Sequence, residues 1–216
     1  MKLIIYNGSP RKKTSNSDVL SNMLINAMEG KAETAKYYLA STQSHDEIIK
    51  DTADAYFIVF PLYADATPYG VKAFFEKMEE NKKAYENKPI YFFIHSGFPE
   101  GKQSRLLERY LKYFCRIIGA ECKSVCIMGS SEMTRDAKET SKKYIKIKSN
   151  MDILAQDILE SRPFDETAIK YFNNMEIMPK SALKLIKVFP RLMDIGFNMM
   201  LKGNNAFDKR YDKPYA

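Results

Sequence analysis

Three short stretches hold side chains and backbone able to do chemistry, and each lies at the end of an apolar run. The first, NGSPRKKTSNS at 7–17, packs cations and hydroxyls into one turn before an amphipathic segment. Ser9, Thr14, Ser15, Asn16 and Ser17 offer hydrogen bonds and Arg11 a positive charge, while free N–H groups at a helix start attract anions. The plainer alternative is that Ser15 or Ser17 caps the helix and Lys12 and Lys13 stand in solvent. The second stretch is FPLYADATPYG at 60–70. Here Pro61 and Pro68 stiffen the chain, Tyr63 offers an aromatic face, and Ala64 to Thr67 expose backbone amides. Stacking plus amide recognition suits a flat heteroaromatic ring, although Tyr63 folded over the core is the competing reading. The third is HSGFPEG at 95–101, where Ser96 and Gly97 permit close backbone approach and Phe98 adds a ring.

Other chemistries find little support. His95 ends an apolar run and reads as a hydrogen-bonded structural residue, and His45 has no evident partner. No cluster has metal-ligand spacing, and no serine or cysteine pairs with a base, so neither a metal site nor a catalytic residue is expected. The glycine spacing fits neither the dinucleotide fingerprint nor the ATP-cradling loop. Cys115, Cys122 and Cys126 form no CxxC pair and no disulfide framework, which fits a reducing compartment.

The elements that must position these stretches follow from periodicity. Continuous apolar runs at 3–6, 34–40, 55–60, 89–94 and 123–128 predict buried strands. Between them, apolar residues recur at helical spacing over Val19–Met28, Tyr69–Met78 and Leu106–Ile118, the last closed by Gly119, and a helix is expected across 141–160. Alternation of this kind predicts an α/β doubly wound parallel sheet of five strands, and the flavodoxin-like order 2-1-3-4-5 is expected. All three stretches then emerge at one sheet edge. An anion seat after the first strand and an aromatic loop after the third flank the switch point, which describes a mononucleotide such as FMN.

With these stretches in view, the chain resembles the NAD(P)H-dependent FMN reductases of the flavodoxin-like superfamily. The resemblance covers residues 1–160 and rests on GSPRKKTSNS, PLYADATPYGVKAFFE and HSGFPEGKQS, and is greatest to bacterial members with a Pro-Leu-Tyr-x-Asp-x-x-Pro loop. It implies FMN as cofactor, with Ser9, Arg11, Ser15, Asn16 and Ser17 at the phosphate. Pro61, Leu62, Tyr63 and Ala64 would line the ring, and Ser96, Gly97 and Phe98 its other rim. The first loop is one residue longer than the commoner form, so Thr14 and Ser15 can exchange roles. Asp65 matches the family's aspartate and is read as bracing its loop. The implied reaction is hydride transfer from NAD(P)H, as co-substrate, through flavin N5 to a small acceptor such as a quinone, free flavin or nitro compound. An iron–sulfur cluster is not expected from three late, spread cysteines, and the basic, tryptophan-free composition favours a reductase over an FMN electron carrier.

Residues 161–216 exceed what this fold needs and read as a helical extension, with helices at 165–175 and 181–201 and an irregular tail. Of the net charge of +7, +5 falls from Ser141 onward. The run at 180–201 mixes lysines with apolar residues, is interrupted by Pro190, and wraps its apolar positions too far around for a clean interfacial helix. Packing on the domain or on a second subunit is therefore expected before a membrane-docking or substrate-lid role, and a homodimer is implied by the family. No secretory segment, no spanning helix and no nucleic-acid partner is expected, and the free thiols make a cytoplasmic protein the expectation. The third reading is a non-catalytic flavodoxin-like binding protein whose basic helix docks on a partner or membrane.

Overall fold

The computed structural model describes residues 1–132, 134–189, 191–203 and 205–213. Its first unit, Met1–Glu176, is built on five parallel strands. These are β1 (Lys2–Asn7), β2 (Glu33–Tyr38), β3 (Ala55–Pro61), β4 (Pro89–His95) and β5 (Glu121–Met128). They lie in the order β2-β1-β3-β4-β5, as the sequence predicts. The switch point falls between β1 and β3, which pair with Leu3 opposite Ala55 and Asn7 opposite Val59.

Strand geometry sends alternate residues to opposite faces, and here both faces are apolar. Ile4, Tyr6, Tyr56, Ile58 and Phe60 enter one core, covered by α3 (Tyr69–Glu80) and α4 (Arg105–Ile118). Leu3, Ile5, Phe57 and Val59 enter the other, covered by α1 (Asn16–Met28), α5 (Lys142–Leu159) and α6 (Glu166–Phe172). Burial on both sides is why these strands need continuous rather than alternating apolar sequence. Gly119 closes α4 with φ of 71°, a left-handed conformation in which a Cβ would be strained.

Several expectations change. A short helix, α2 (His45–Ile48), follows β2, and His45 does have partners. Its Nε2 lies 3.1 Å from Leu39 O and its ring stands edge-on to Phe74. The first unit runs to Glu176 instead of ending near 160. The reason is packing: Phe164, Ala168 and Phe172 sit in the second core, so α6 belongs to the domain. The second unit, Ile177–Ala216, holds α7 (Lys180–Val188) and α8 (Arg191–Gly203) where one helix was expected. Pro190 itself lies outside the described residues. A 3-10 turn at Phe207–Lys209 follows.

Gly8 serves close packing and not a left-handed turn. A Cβ there would lie 2.2 Å from Val71 Cγ2 and 2.8 Å from Phe60 Cβ. Gly70 is tighter still, since its Cβ would meet Leu39 O at 2.0 Å. Backbone cannot retreat as a side-chain tip can, so Gly70→Ala is expected to cost about 1–3 kcal/mol in a thermal or urea melt.

Candidate functional site

The first loop is folded by its own polar groups. Ser9 N–H donates to Asn7 Oδ1 at 2.9 Å, Lys12 N–H to Ser9 O at 3.0 Å, and Arg11 N–H to Ser9 Oγ at 3.3 Å. Ser15 caps α1: its Oγ accepts from Asp18 N–H at 3.1 Å and donates to Lys12 O at 2.6 Å. That hydroxyl is therefore engaged twice. The first-turn N–H groups of Asn16 and Ser17 meet no acceptor among the described residues. A nearby carboxylate would oppose an anion, but Asp18 is held by Lys36 Nζ at 2.8 Å and Tyr38 Oη at 2.7 Å.

Two side chains predicted at the anion seat are committed elsewhere. Ser17 is fully buried, with its Oγ 2.7 Å from His95 Nε2. Its backbone, not its hydroxyl, remains for a ligand. Asn16 Nδ2 donates to Ser131 O, and Asn16 Oδ1 accepts from Arg135 N–H, both at 2.9 Å. It bolts the start of α1 to the loop after β5. His95 Nδ1 lies 3.1 Å from Ser131 Oγ, so one imidazole joins α1 to that same loop. Burial pushes His95 down to about 4, so it is neutral at pH 7, one nitrogen donating and the other accepting.

The loop after β5 was missed in the sequence. Ser131, Glu132, Arg135 and Asp136 form one wall of a cleft of about 110 Å³ whose other walls are Ser9, Arg11, Thr14, Ser15, Asn16, Pro61, Leu62, Tyr63, Ser96 and Gly97. All three predicted stretches thus converge on one cleft. The signal was present: GSSEMTRD repeats the hydroxyl-and-arginine composition of the first loop and leaves a strand at the same edge. Arg135 pairs with Asp136 at 2.8 Å and holds that carboxyl below its ordinary range. Arg11 forms no ion pair among the described residues.

The second stretch is a two-residue turn. Ala64 and Asp65 take φ of 47° and 58°, and Tyr63 and Ala66 exchange hydrogen bonds of 3.2 and 3.0 Å. The backbone braces this loop. Asp65, expected to do so, is exposed with no side-chain partner among the described residues. A left-handed alanine is strained, a feature that gathers at ligand sites. Ala64 and Phe98 do not line the first cleft. They line a second, of about 370 Å³, with Leu62, Asp65 and Gln103. Leu62 borders both. Gln103 Oε1 is buried without a hydrogen-bond partner among the described residues, an acceptor missed in the sequence.

The third stretch is clamped from two sides. Ser96 N–H donates to Met128 O, Ser131 N–H to Ser96 O and Ser130 N–H to Phe98 O, at 2.8–3.0 Å. Ser96 Oγ is 3.2 Å from Phe98 O. From the other side, Gly101 N–H donates to Met175 O at 2.8 Å, and Arg105 grips Glu176. The residues beyond α6 thereby hold the loop after β4.

Two adjoining hollows result, one walled by hydroxyls, open amides and the charges of Arg11, Arg135, Glu132 and Asp136, the other by Leu62, Ala64 and Phe98 with Asp65 and Gln103. Among the described residues no group of acids, histidines and cysteines could hold a metal ion.

Neither a protein-family profile nor a curated protein matches the chain. Solved structures do. An NAD(P)H:quinone oxidoreductase from Methanothermobacter marburgensis is similar with a TM-score of 0.56 and 12% identity, over 73% of this chain and 96% of that one. An NADH:FMN oxidoreductase in its apo form gives 0.55 and 12%, over 84% and 98%. A flavodoxin, WrbA-like protein from Agrobacterium tumefaciens gives 0.51 and 10%, over 74% and 98%. At such identity the likeness speaks for architecture, and with the strand order it establishes that this chain has the flavodoxin-like fold.

Proposed function

We propose that the protein is an FMN-dependent oxidoreductase that takes reducing equivalents from NAD(P)H and passes them to a small acceptor. One observation carries this reading: a cleft suited to an anion and a cleft suited to a flat ring share a wall at Leu62, at the switch point of the sheet. The residues present fit FMN. The open N–H groups of Asn16 and Ser17, with Ser9 Oγ and Arg11, would hold the phosphate. Pro61, Leu62, Tyr63, Ala64, Gly97 and Phe98 would border the ring, and the unpartnered Gln103 Oε1 offers an acceptor to its N–H edge. When bound, FMN supplies the hydride-accepting ring, so the chain itself needs no acid or base. Its work is positioning and excluding water. The names of the solved structures with this fold, oxidoreductases acting with NAD(P)H among them, agree with the reading.

A third hollow, of about 580 Å³, borders the same loop and is lined by Ala66, Tyr69, Leu106, Leu107 and Tyr110, with Asp65, Thr67 and Lys72 beside them. Its apolar walls suit a flat acceptor such as a quinone. Anaerobic mixing of the FMN-loaded protein with NADPH and, separately, NADH tests the reaction. Bleaching of the yellow colour by at least one donor at a catalytic rate is expected. A flavin that stays oxidised with both would leave an electron carrier as the better reading.

A further inference from the structure

We propose that the C-terminal unit, Ile177–Ala216, docks on an anionic lipid surface. Charge is the first observation. These residues hold 8 Lys+Arg against 3 Asp+Glu, so +5 of the chain's +7 lies in this unit. Exposure is the second. Leu185 is 52% exposed, Val188 68%, Phe189 53%, Ile195 62%, Phe197 59% and Met199 67%. Single exposed apolar side chains are ordinary, but six large ones in so short a span, among eight cations, call for a cover.

Their arrangement identifies the cover. In α7, Lys180, Lys184 and Lys187 are spaced four and three apart and fall on one side of the helix. At about 100° per residue, Leu185 and Ile186 lie on the opposite side. Cations on one face and aliphatic groups on the other is the pattern of a helix lying in a bilayer interface. The sequence argued against this because one helix over 180–201 would wrap its apolar positions all round. Division into Lys180–Val188 and Arg191–Gly203 breaks that run, so the faces are set helix by helix: the lysines of α7 share one side, and in α8 Ile195 and Met199, four residues apart, share another. Beyond them Arg210 stacks on Phe207, 3.9 Å from the ring centre, and on Tyr211 at 4.8 Å, an aromatic and cationic pairing suited to headgroup depth.

Other occupants fit less well. A second copy would set +5 against +5 across the contact, and a nucleic acid would meet the cations but leave the apolar side chains in water. No helix among the described residues is long and apolar enough to cross a membrane, so the contact is with its surface.

The test is co-sedimentation of the full chain with vesicles of phosphatidylcholine alone or mixed with phosphatidylglycerol. Binding only to the phosphatidylglycerol vesicles is expected, weakened about tenfold or more at about 1 M salt, where the screening length falls to ~3 Å. Lys180→Glu with Lys184→Glu and Lys187→Glu should weaken it about a hundredfold or more, and Leu185→Asp with Phe197→Asp about tenfold or more. Both variants should melt like the parent, because none of these residues is in the core of the first unit. Equal binding to both vesicle types, or binding to neither, overturns the proposal. So does a dimer abolished by Leu185→Asp with Phe197→Asp in a protein that ignores vesicles, which would assign the face to a second copy.

Discussion

Ser9→Ala with Arg11→Ala is expected to weaken FMN binding about a hundredfold while leaving riboflavin binding nearly unchanged. Ser9 is buried at the wall of the anion cleft and Arg11 stands over it without an ion pair among the described residues. Hydrogen bonds to a charged group contribute about 1.5–3 kcal/mol each, and Arg11 is exposed, which puts its share at the lower end. Together they come to about 3 kcal/mol, or a factor near a hundred at about 1.4 kcal/mol per decade. Riboflavin separates the possible causes. It carries the ring without the phosphate, so a loss confined to FMN locates the damage at the anion seat. If FMN affinity in the double variant equals that of the parent, the phosphate assignment is wrong. An equal loss for both ligands would mean that the loop had collapsed, since Arg11 N–H leans on Ser9 Oγ.

Acid should loosen the same site through His95. Burial lowers this imidazole from 6.5 to about 4, so between those values the unfolded chain binds the extra proton and the folded chain does not. Stability from this group is fully present above the unfolded value and falls as pH drops, until the folded value is reached. The change is on the order of 3 kcal/mol across that window. Protonation would also force both ring nitrogens to donate, to Ser17 and Ser131, and these hydroxyls tie α1 to the loop after β5 across the cleft. Urea melts from about pH 7 to about pH 4.5 should therefore show a steep loss in the parent and a shallower one in His95→Gln. Parallel slopes for the two proteins would contradict the assignment.

Much of this was legible in the sequence, for identifiable reasons. Uninterrupted short runs such as AYFIVF read as strands covered on both faces, and their alternation with amphipathic helices predicted the parallel sheet whose order the structure shows. Loops leaving strands at one edge then had to share a site, which brought Ser9, Tyr63 and Gly97 to one cleft. What stayed hidden depends on distance along the chain. Ser17 looks like an anion donor until His95, 78 residues away, takes its hydroxyl. Asn16 is likewise claimed by Ser131 and Arg135, more than a hundred positions distant. The loop after β5 carries no aromatic or proline landmark, so its hydroxyl-and-arginine composition stands out only beside the first loop, which the fold sets across the same cleft. Phe164, Ala168 and Phe172 gave a helical period but no sign of which surface they would cover. Local spacing specifies elements and edges, whereas competition for hydrogen-bond partners is decided in three dimensions.

In the proposed complex, FMN is held by its phosphate at the start of α1 and by its ring beside Leu62. Fluorescence titration of the flavin-free protein with FMN and with riboflavin tests it most directly. FMN should bind at least about tenfold more tightly, as a charged group on open helix amides and an arginine requires. Equal affinity for the two flavins, or no binding of either, would contradict it.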